Sequence, residues 1–249
     1  MEKQNILMLK RSIVLFLILC IGGYLTSCTA KIPEGDIKDF VDCISYDTAY
    51  ENIDLGVSNV MVVYSQNDEE LGRVSIHTEI DKSQKYYYAN TIASGSYVEE
   101  YGFEEQQILS YMNVDNIVQS YQIKNNETLE VSHSEEELNQ LITSFFYTQV
   151  DGGYHQGAIY YGDYVIANCG KFYTCFSLNE EKTLLTYEVN TSQKNSDGDE
   201  IVTMHYFVID AYGMLVSLHT KSIMVEKNIV VDTTIECEYN KPIDKKTEL

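Results

Sequence analysis

Apolar and polar residues alternate along much of the chain after position 56. In the clearest stretch, Val74, Ile76, Thr78 and Ile80 occupy one set of alternate positions, and polar or charged residues occupy the other. Successive side chains of a β-strand point to opposite faces, so this alternation predicts an antiparallel strand with one buried and one solvated face. Similar runs predict strands over residues 57–65, 71–80, 85–92, 106–113, 117–124, 128–133, 172–178, 182–190, 201–210, 214–226 and 228–239.

Two segments follow the period of an α-helix instead. Apolar residues three or four positions apart predict an N-terminal helix capped by Asp36; they are Ile37, Phe40, Val41 and Ile44. Ser134 and Glu137 have the spacing of a capping box, which predicts a second helix from Glu135 to about Thr148. Its apolar face would consist of Leu138, Leu141, Ile142 and Phe145.

Residues 36–249 are expected to form one domain, because no linker or change of composition divides them. The predicted elements make it an α+β domain with a single, mainly antiparallel sheet. Residues 158–168 fit either a short helix or a strand with a central turn. Residues 240–249 are polar, and we expect them to be loosely held.

The first 27 residues are typical of an export signal. Lys3, Lys10 and Arg11 form a basic start, and residues 12–25 are apolar without a charge. A membrane-spanning helix needs about 20 apolar residues, whereas the apolar region of a secretory signal has about 7–15. The segment therefore predicts a cleaved signal peptide over residues 1–27.

The end of this segment, Leu25-Thr26-Ser27-Cys28, resembles the lipobox of bacterial lipoproteins. The resemblance implies cleavage between Ser27 and Cys28, a diacylglycerol thioether on Cys28 and acylation of its new amine, as with palmitate. Two or three such chains hold a protein firmly on a membrane. We therefore expect a lipid-anchored protein on the extracytoplasmic face of the cell membrane, with residues 28–35 as lipidated cysteine and tether. The alternative is an ordinary secretory signal whose cleavage site ends in cysteine.

The chain is strongly acidic, with 38 acidic against 17 basic residues and a net charge of −21. Phosphate binding needs a basic face, so we expect no nucleic-acid partner. Anionic lipid head groups repel such a surface, which would make the lipid on Cys28 its only strong hold on the membrane. The acidity serves solubility or attracts cations and basic partners, and solubility is the simpler explanation.

Four cysteines remain after the predicted cleavage and lipidation: Cys43, Cys169, Cys175 and Cys237. They lie in a compartment where disulfides are allowed, and they permit three connectivities. Cys237 alternates with Ile235 and Tyr239, which indicates a buried strand position where a free thiol acts as a small hydrophobe. The sequence is compatible both with one or two disulfides among these cysteines and with free thiols.

The sequence contains no motif of nucleophilic catalysis, phosphate binding or metal binding. The five histidines lack ligand spacing. His205 and His219 lie on predicted neighbouring strands and could face each other, but two histidines are thin evidence for zinc. We therefore predict no enzymatic activity, no cofactor and no metal site.

Tyrosine is frequent, with 21 residues that include the run Tyr86-Tyr87-Tyr88. Tyrosine suits contact surfaces and ligand cavities, because it joins a large apolar body to a polar tip. It also favours strands in general. Of these two explanations, the general preference of tyrosine for strands is the simpler one.

The order of elements is a helix, antiparallel strands, a mid-chain helix and further strands that end at Tyr239-Asn240. This layout, over most of the mature chain, resembles the small lipoproteins of low-GC Gram-positive bacteria whose domain is similar to LolA and to mycobacterial LppX and LprG. The resemblance implies a curved, incompletely closed sheet, an incomplete barrel, with both helices packed on its concave face. It also implies a carrier or sensor whose concavity often holds lipid.

These observations lead to the hypothesis of a non-catalytic lipoprotein that binds a lipid or another hydrophobic ligand. Inward-facing contacts would come from Val74, Ile76, Ile80, Leu138, Leu141 and Phe145. The same residues suit a packed core equally well, so the ligand-binding residues stay unassigned. The alternative is a module without a ligand cavity that docks an unknown partner protein through its exposed sheet or its tyrosines.

Overall fold

A computed structural model describes most of the chain after the predicted tether. The described residues are 35–100, 105–124, 127–146, 148–150, 154–156, 175–195 and 198–249. The predicted signal peptide, Cys28 and the ambiguous residues 158–168 lie outside these ranges.

The described residues form four helices and two antiparallel sheets. The helices are α1 (Asp36–Asp42), α2 (Tyr46–Asn52), α3 (Ser96–Glu100) and α4 (Glu135–Phe146). The strands are β1 (Leu55–Gln66), β2 (Glu69–Asp81), β3 (Tyr86–Ser94), β4 (Gln106–Met112), β5 (Val118–Lys124), β6 (Glu127–Glu130), β7 (Thr148–Val150), β8 (Tyr154–Gln156), β9 (Phe176–Leu178), β10 (Leu184–Lys194), β11 (Glu200–Asp210), β12 (Leu215–Met224) and β13 (Ile229–Tyr239). Within this part of the chain, no helix is long and apolar enough to cross a bilayer.

The large sheet has 11 strands in the order β6-β5-β4-β3-β2-β1-β13-β12-β11-β10-β9, and β7 pairs with β8 separately. Two meanders therefore run outward from the central pair of β1 and β13. The sheet stays open at β6 and β9, so the predicted α+β fold with one incompletely closed antiparallel sheet is confirmed. Each predicted strand is present with small differences at its ends, although residues 172–174 lie outside the described ranges.

The helices α1, α2 and α4 cover one face of the sheet, which we call the inner face. Their apolar residues join those of the strands in the main apolar cluster, which contains Phe40, Ala49, Ile53, Ile80, Leu138, Ile142, Phe145, Phe146, Phe176, Leu185, Tyr187, Phe207, Ile209, Met214, Leu215, Leu218, Ile235 and Cys237. Gly56 allows α4 to approach β1 closely, because a Cβ atom there would lie 2.6 Å from the Phe145 ring.

The N-terminal region differs from the single helix that the sequence predicts. α1 begins after Gly35 without a side-chain cap, so the predicted cap by Asp36 is wrong. α2 starts after Ser45, whose hydroxyl accepts a hydrogen bond from the backbone N–H of Thr48 at 3.4 Å. This new N-cap divides the region into two short helices.

Residues 241–249, which we call the closing segment, are docked on the outer face and not loosely held as expected. Ile243 and Leu249 pack against a cluster of Tyr86, Tyr88 and Leu109. The Lys245 ammonium pairs there with Asp81, and the Lys246 ammonium with the Tyr88 hydroxyl. The sequence prediction failed here because those partners lie on strands far away along the chain.

Candidate functional site

A strip of buried polar side chains crosses the inner face on β11, β12 and β13. The register places His205 opposite Thr220, Thr220 opposite Thr233, and Thr203 opposite Ser222. Directly opposed residues of an antiparallel pair share a face, so these side chains lie next to one another. Their exposed fractions are only 1–8%. We call Thr203, His205, Thr220, Ser222 and Thr233 the polar strip.

Apolar clusters lie beside the polar strip along the strands. One row away, Phe207, Leu218 and Ile235 belong to the main apolar cluster. On the other side, β13 continues into a second cluster, the valine cluster, which contains Val62, Tyr64, Val74, Val98 and Val231. The strip is therefore a polar band within an apolar surface.

Each side chain of the polar strip is a neutral hydrogen-bonding group at neutral pH. His205 Nδ1 lies 3.2 Å from Thr220 Oγ1, and Thr203 Oγ1 lies 3.2 Å from Ser222 Oγ. The His205 ring also stacks on the Phe207 ring, with 5.8 Å between the centroids. Burial lowers the pKa of His205 to about 4, so its imidazole is uncharged.

The expectation that His205 and His219 could face each other is wrong. The register places His219 opposite Tyr206, one residue away from His205, and therefore on the other face of the sheet. There, His219 Nε2 lies 2.9 Å from Asp232 Oδ1. Across the described ranges, no group of three or more His, Cys, Asp or Glu side chains is placed to hold a metal ion.

The predicted ligand contacts divide between the two apolar clusters. Ile80, Leu138 and Phe145 lie in the main apolar cluster, whereas Val74 lies in the valine cluster with Ile76 packed against it. Leu141 is half-buried on α4. Sequence reasoning missed the polar strip, although Ser, Thr and His at alternate positions of the last three predicted strands were its signal.

Cys237 occupies the buried inner-face position that the alternation predicts, and it is a free thiol. Burial raises the pKa of Cys237 to about 11, so its thiol stays protonated at neutral pH. Cys43 and Cys175 are also free, so no disulfide joins the three described cysteines. Cys169 lies outside the described ranges.

The tyrosine run of β3 does not form an exposed contact surface. Tyr87 faces inward, while Tyr86 and Tyr88 lie under the closing segment with exposed fractions of 2% and 3%. The Lys246 ammonium donates to the Tyr88 hydroxyl at 2.8 Å, and the Lys246 backbone N–H donates to the Tyr86 hydroxyl at 3.2 Å. Burial raises the pKa of Tyr86 to about 12.

Exposed apolar side chains on the outer face include Met204 and Tyr206, which are neighbours at alternate positions of β11, and Met61 on β1. Tyr206 and Met61 share one row of the register, with exposed fractions of 42% and 39%. His219 and Thr234 stand between them in that row. Polar side chains therefore separate Met61 from Tyr206 along this row.

A pocket of about 260 Å³ opens beside α2 and α4. Its lining includes Tyr50, Asp54, Lys82 and Asn139. The Lys82 ammonium donates to the Tyr50 carbonyl and lies 4.2 Å from the centroid of the Tyr50 ring. This charged lining differs from the mostly apolar lining of typical ligand cavities.

No family model and no curated protein matches this chain. Among solved structures, a DUF1329 family protein from Desulfovibrio piger is 9% identical, with a TM-score of 0.25 over 85% of this chain and 96% of the other. A beta-barrel-like protein of the domain of unknown function DUF1849 from Brucella abortus is 9% identical, with a TM-score of 0.21 over 75% and 98%. TM-scores this low support no functional comparison with these two proteins.

Proposed function

We propose that this protein is a lipid-anchored, extracytoplasmic binding protein that holds a lipid or another hydrophobic ligand on the inner face of its sheet. The observation that carries the proposal is the polar strip between two apolar clusters. Buried hydroxyl and imidazole groups stabilise a core less than apolar groups of the same size, so a packed core gains nothing from them. A molecule with apolar and polar parts would make use of both.

The membrane anchor is proposed from the sequence, and the described domain begins a few residues after Cys28. α1 begins at Asp36, and the seven residues 29–35 span at most about 25 Å when extended. A lipid on Cys28 would therefore hold the domain close to the membrane surface. The acidic surface would keep it in solution beside anionic head groups.

Native mass spectrometry of residues 29–249, purified from a bacterial host without detergent, tests the binding function. These residues include every described element, so the sheet and its core are retained. We expect an added mass of lipid size that organic extraction removes. A bare chain that also takes up nothing from a total bacterial lipid extract would contradict the proposal and favour a protein-docking module.

Membrane fractionation of a Cys28→Ser variant tests the anchor. We expect the variant to leave the membrane fraction or to stay uncleaved, whereas the matched variant Cys20→Ser should be lipidated normally. A Cys28→Ser chain that is cleaved normally and stays membrane-bound would contradict lipidation at Cys28.

A further inference from the structure

We propose that the inner-face ligand is an uncharged amphiphile whose hydroxyl, ester or amide groups hydrogen-bond to the polar strip. This inference rests on the proposed function and names its ligand class. It depends on which hydrogen-bonding groups the strip leaves available and on the absence of charge along the same strands.

Two buried side chains of the polar strip retain unused hydrogen-bonding capacity. His205 is 2% exposed, and its Nδ1 contacts Thr220 while its Nε2 has no hydrogen-bond partner within the described ranges. Thr233 is 7% exposed, and its hydroxyl likewise has no hydrogen-bond partner among the described residues. Buried polar groups in native proteins almost always have a partner, and where protein supplies none, a ligand or water does.

The hydrogen-bonding groups that the polar strip leaves available are uncharged, and they can both donate and accept. An uncharged imidazole carries one donor and one acceptor nitrogen, and a threonine hydroxyl can donate and accept. Hydroxyl, ester and amide groups match such partners without bringing a charge into the site. A hydroxyl-bearing head group satisfies His205 Nε2 in either tautomer.

The three described strands that carry the polar strip have no charged residue on the inner face beside it. On β11, β12 and β13, the inner-face positions between Ile201 and Phe207, Leu218 and Met224, and Ile229 and Tyr239 carry no Asp, Glu, Lys or Arg. A buried carboxylate or phosphate without a cation beside it is strongly disfavoured. These strands therefore select against fatty acids and phospholipids and in favour of neutral amphiphiles.

The apolar neighbours of the strip suit the remainder of such a molecule. The valine cluster and the main apolar cluster continue the same strands in opposite directions from Thr233, through Val231 and Ile235. An acyl chain that follows either direction stays on apolar surface while the head group remains at the strip.

Three probes with one acyl chain and different head groups test this selection. Delipidated residues 29–249 are mixed with 1-monooleoylglycerol, oleate or oleoyl lysophosphatidylglycerol, and the retained ligand is measured by native mass spectrometry at pH 7.5. We expect 1-monooleoylglycerol to bind at least about tenfold more tightly than either anion. Equal or tighter binding of an anion would overturn the neutral-ligand class while leaving the proposed function standing. Failure of all three probes to bind would overturn the proposed function and this inference together.

Matched variants on the two faces of the same strands locate the binding. His205→Phe and Thr233→Val remove the available groups, and each should weaken 1-monooleoylglycerol binding about tenfold. His219→Phe and Thr234→Val make the same changes on the outer face and should leave binding unchanged. His205→Gln keeps a neutral donor and acceptor and should recover part of the affinity. Equal effects of His205→Phe and His219→Phe would overturn the assignment to the polar strip.

Discussion

Two neighbouring rows of the inner face are equally buried but have opposite chemistry. Phe207, Leu218 and Ile235 are 0%, 1% and 7% exposed, and two residues along the same strands His205, Thr220 and Thr233 are 2%, 8% and 7% exposed. Burial alone therefore does not explain the second row. The apolar row is part of the main apolar cluster, whereas the polar row, at the same depth, is the site that we propose for the ligand.

Truncation in the apolar row is expected to have the largest effect on stability. Phe207→Ala removes a ring that stacks on Tyr187 and leaves a cavity, so the free energy of unfolding should fall by about 3–5 kcal/mol. Urea denaturation measures this loss. Tyr206→Ala, one residue away on the exposed face, should change stability far less. A loss below about 1 kcal/mol for Phe207→Ala would show that the row does not carry the fold.

The polar row should make stability depend on pH. The pKa of His205 is about 4 in the folded chain and about 6.5 when unfolded, so between these values only the unfolded chain gains the proton. The contribution of His205 to the free energy of unfolding is therefore complete above pH 6.5 and is lost as the pH falls to 4. This loss amounts to about 3 kcal/mol. Denaturation at several pH values should show a weaker dependence in His205→Phe than in the wild type. Equal pH dependence in wild type and His205→Phe would contradict the burial of a neutral imidazole.

On the outer face, in contrast, a buried charged group is paired with a group of opposite charge. Asp81 is 3% exposed and accepts hydrogen bonds from the Lys245 ammonium and from the Ser83 hydroxyl at 2.7 Å. Burial alone would raise the pKa of Asp81, but these hydrogen bonds hold it below its usual value. Asp81→Asn should reduce the free energy of unfolding by about 1–2 kcal/mol.

The same Asp81→Asn substitution should also loosen the closing segment. Amide hydrogen exchange in residues 241–249 should become faster, because Lys245 loses its carboxylate partner and retains the neutral Gln84. The control Asp232→Asn removes an outer-face carboxylate that pairs with His219 and should leave this exchange unchanged. Unaltered exchange in Asp81→Asn would mean that Ile243 and Leu249 hold the segment by themselves.

Replacement of one polar-strip hydroxyl should have the smallest effect, and of opposite sign. Thr233→Val exchanges a buried hydroxyl for a methyl group of similar size, so stability should rise by about 1 kcal/mol in the ligand-free protein. Thermal denaturation against Thr234→Val, its exposed neighbour, measures the difference. A clear loss of stability would show that Thr233 serves the fold.

Local sequence signals predicted most of the elements. Alternation located the strands, and the capping box of α4 is present: the Ser134 N–H donates to Glu137 Oε2 at 2.6 Å, and the Glu137 N–H donates to Ser134 Oγ at 3.2 Å. Both signals depend on residues that are near one another in the chain. For this reason both signals can be recognised without knowledge of the tertiary structure.

Features that depend on distant partners could not be predicted in the same way. The closing segment appears polar in sequence, yet Lys245 meets Asp81, 164 residues away. The faces of His205 and His219 follow from the register between β11 and β12, and a shift of one residue would reverse the relation. The polar strip depends both on distant residues and on strand register, because its side chains become buried together only when three strands align.

Nuclear magnetic resonance of the histidine rings during titration with 1-monooleoylglycerol shows which face of the sheet binds the ligand. His205 and His219 lie on neighbouring strands but on opposite faces of the sheet, so each ring reports on one face. A ligand on the inner face predicts a large, saturable shift of the His205 ring signals and none for His219. An unchanged His205 ring at saturating ligand, or equal shifts of both rings, would contradict binding at the polar strip.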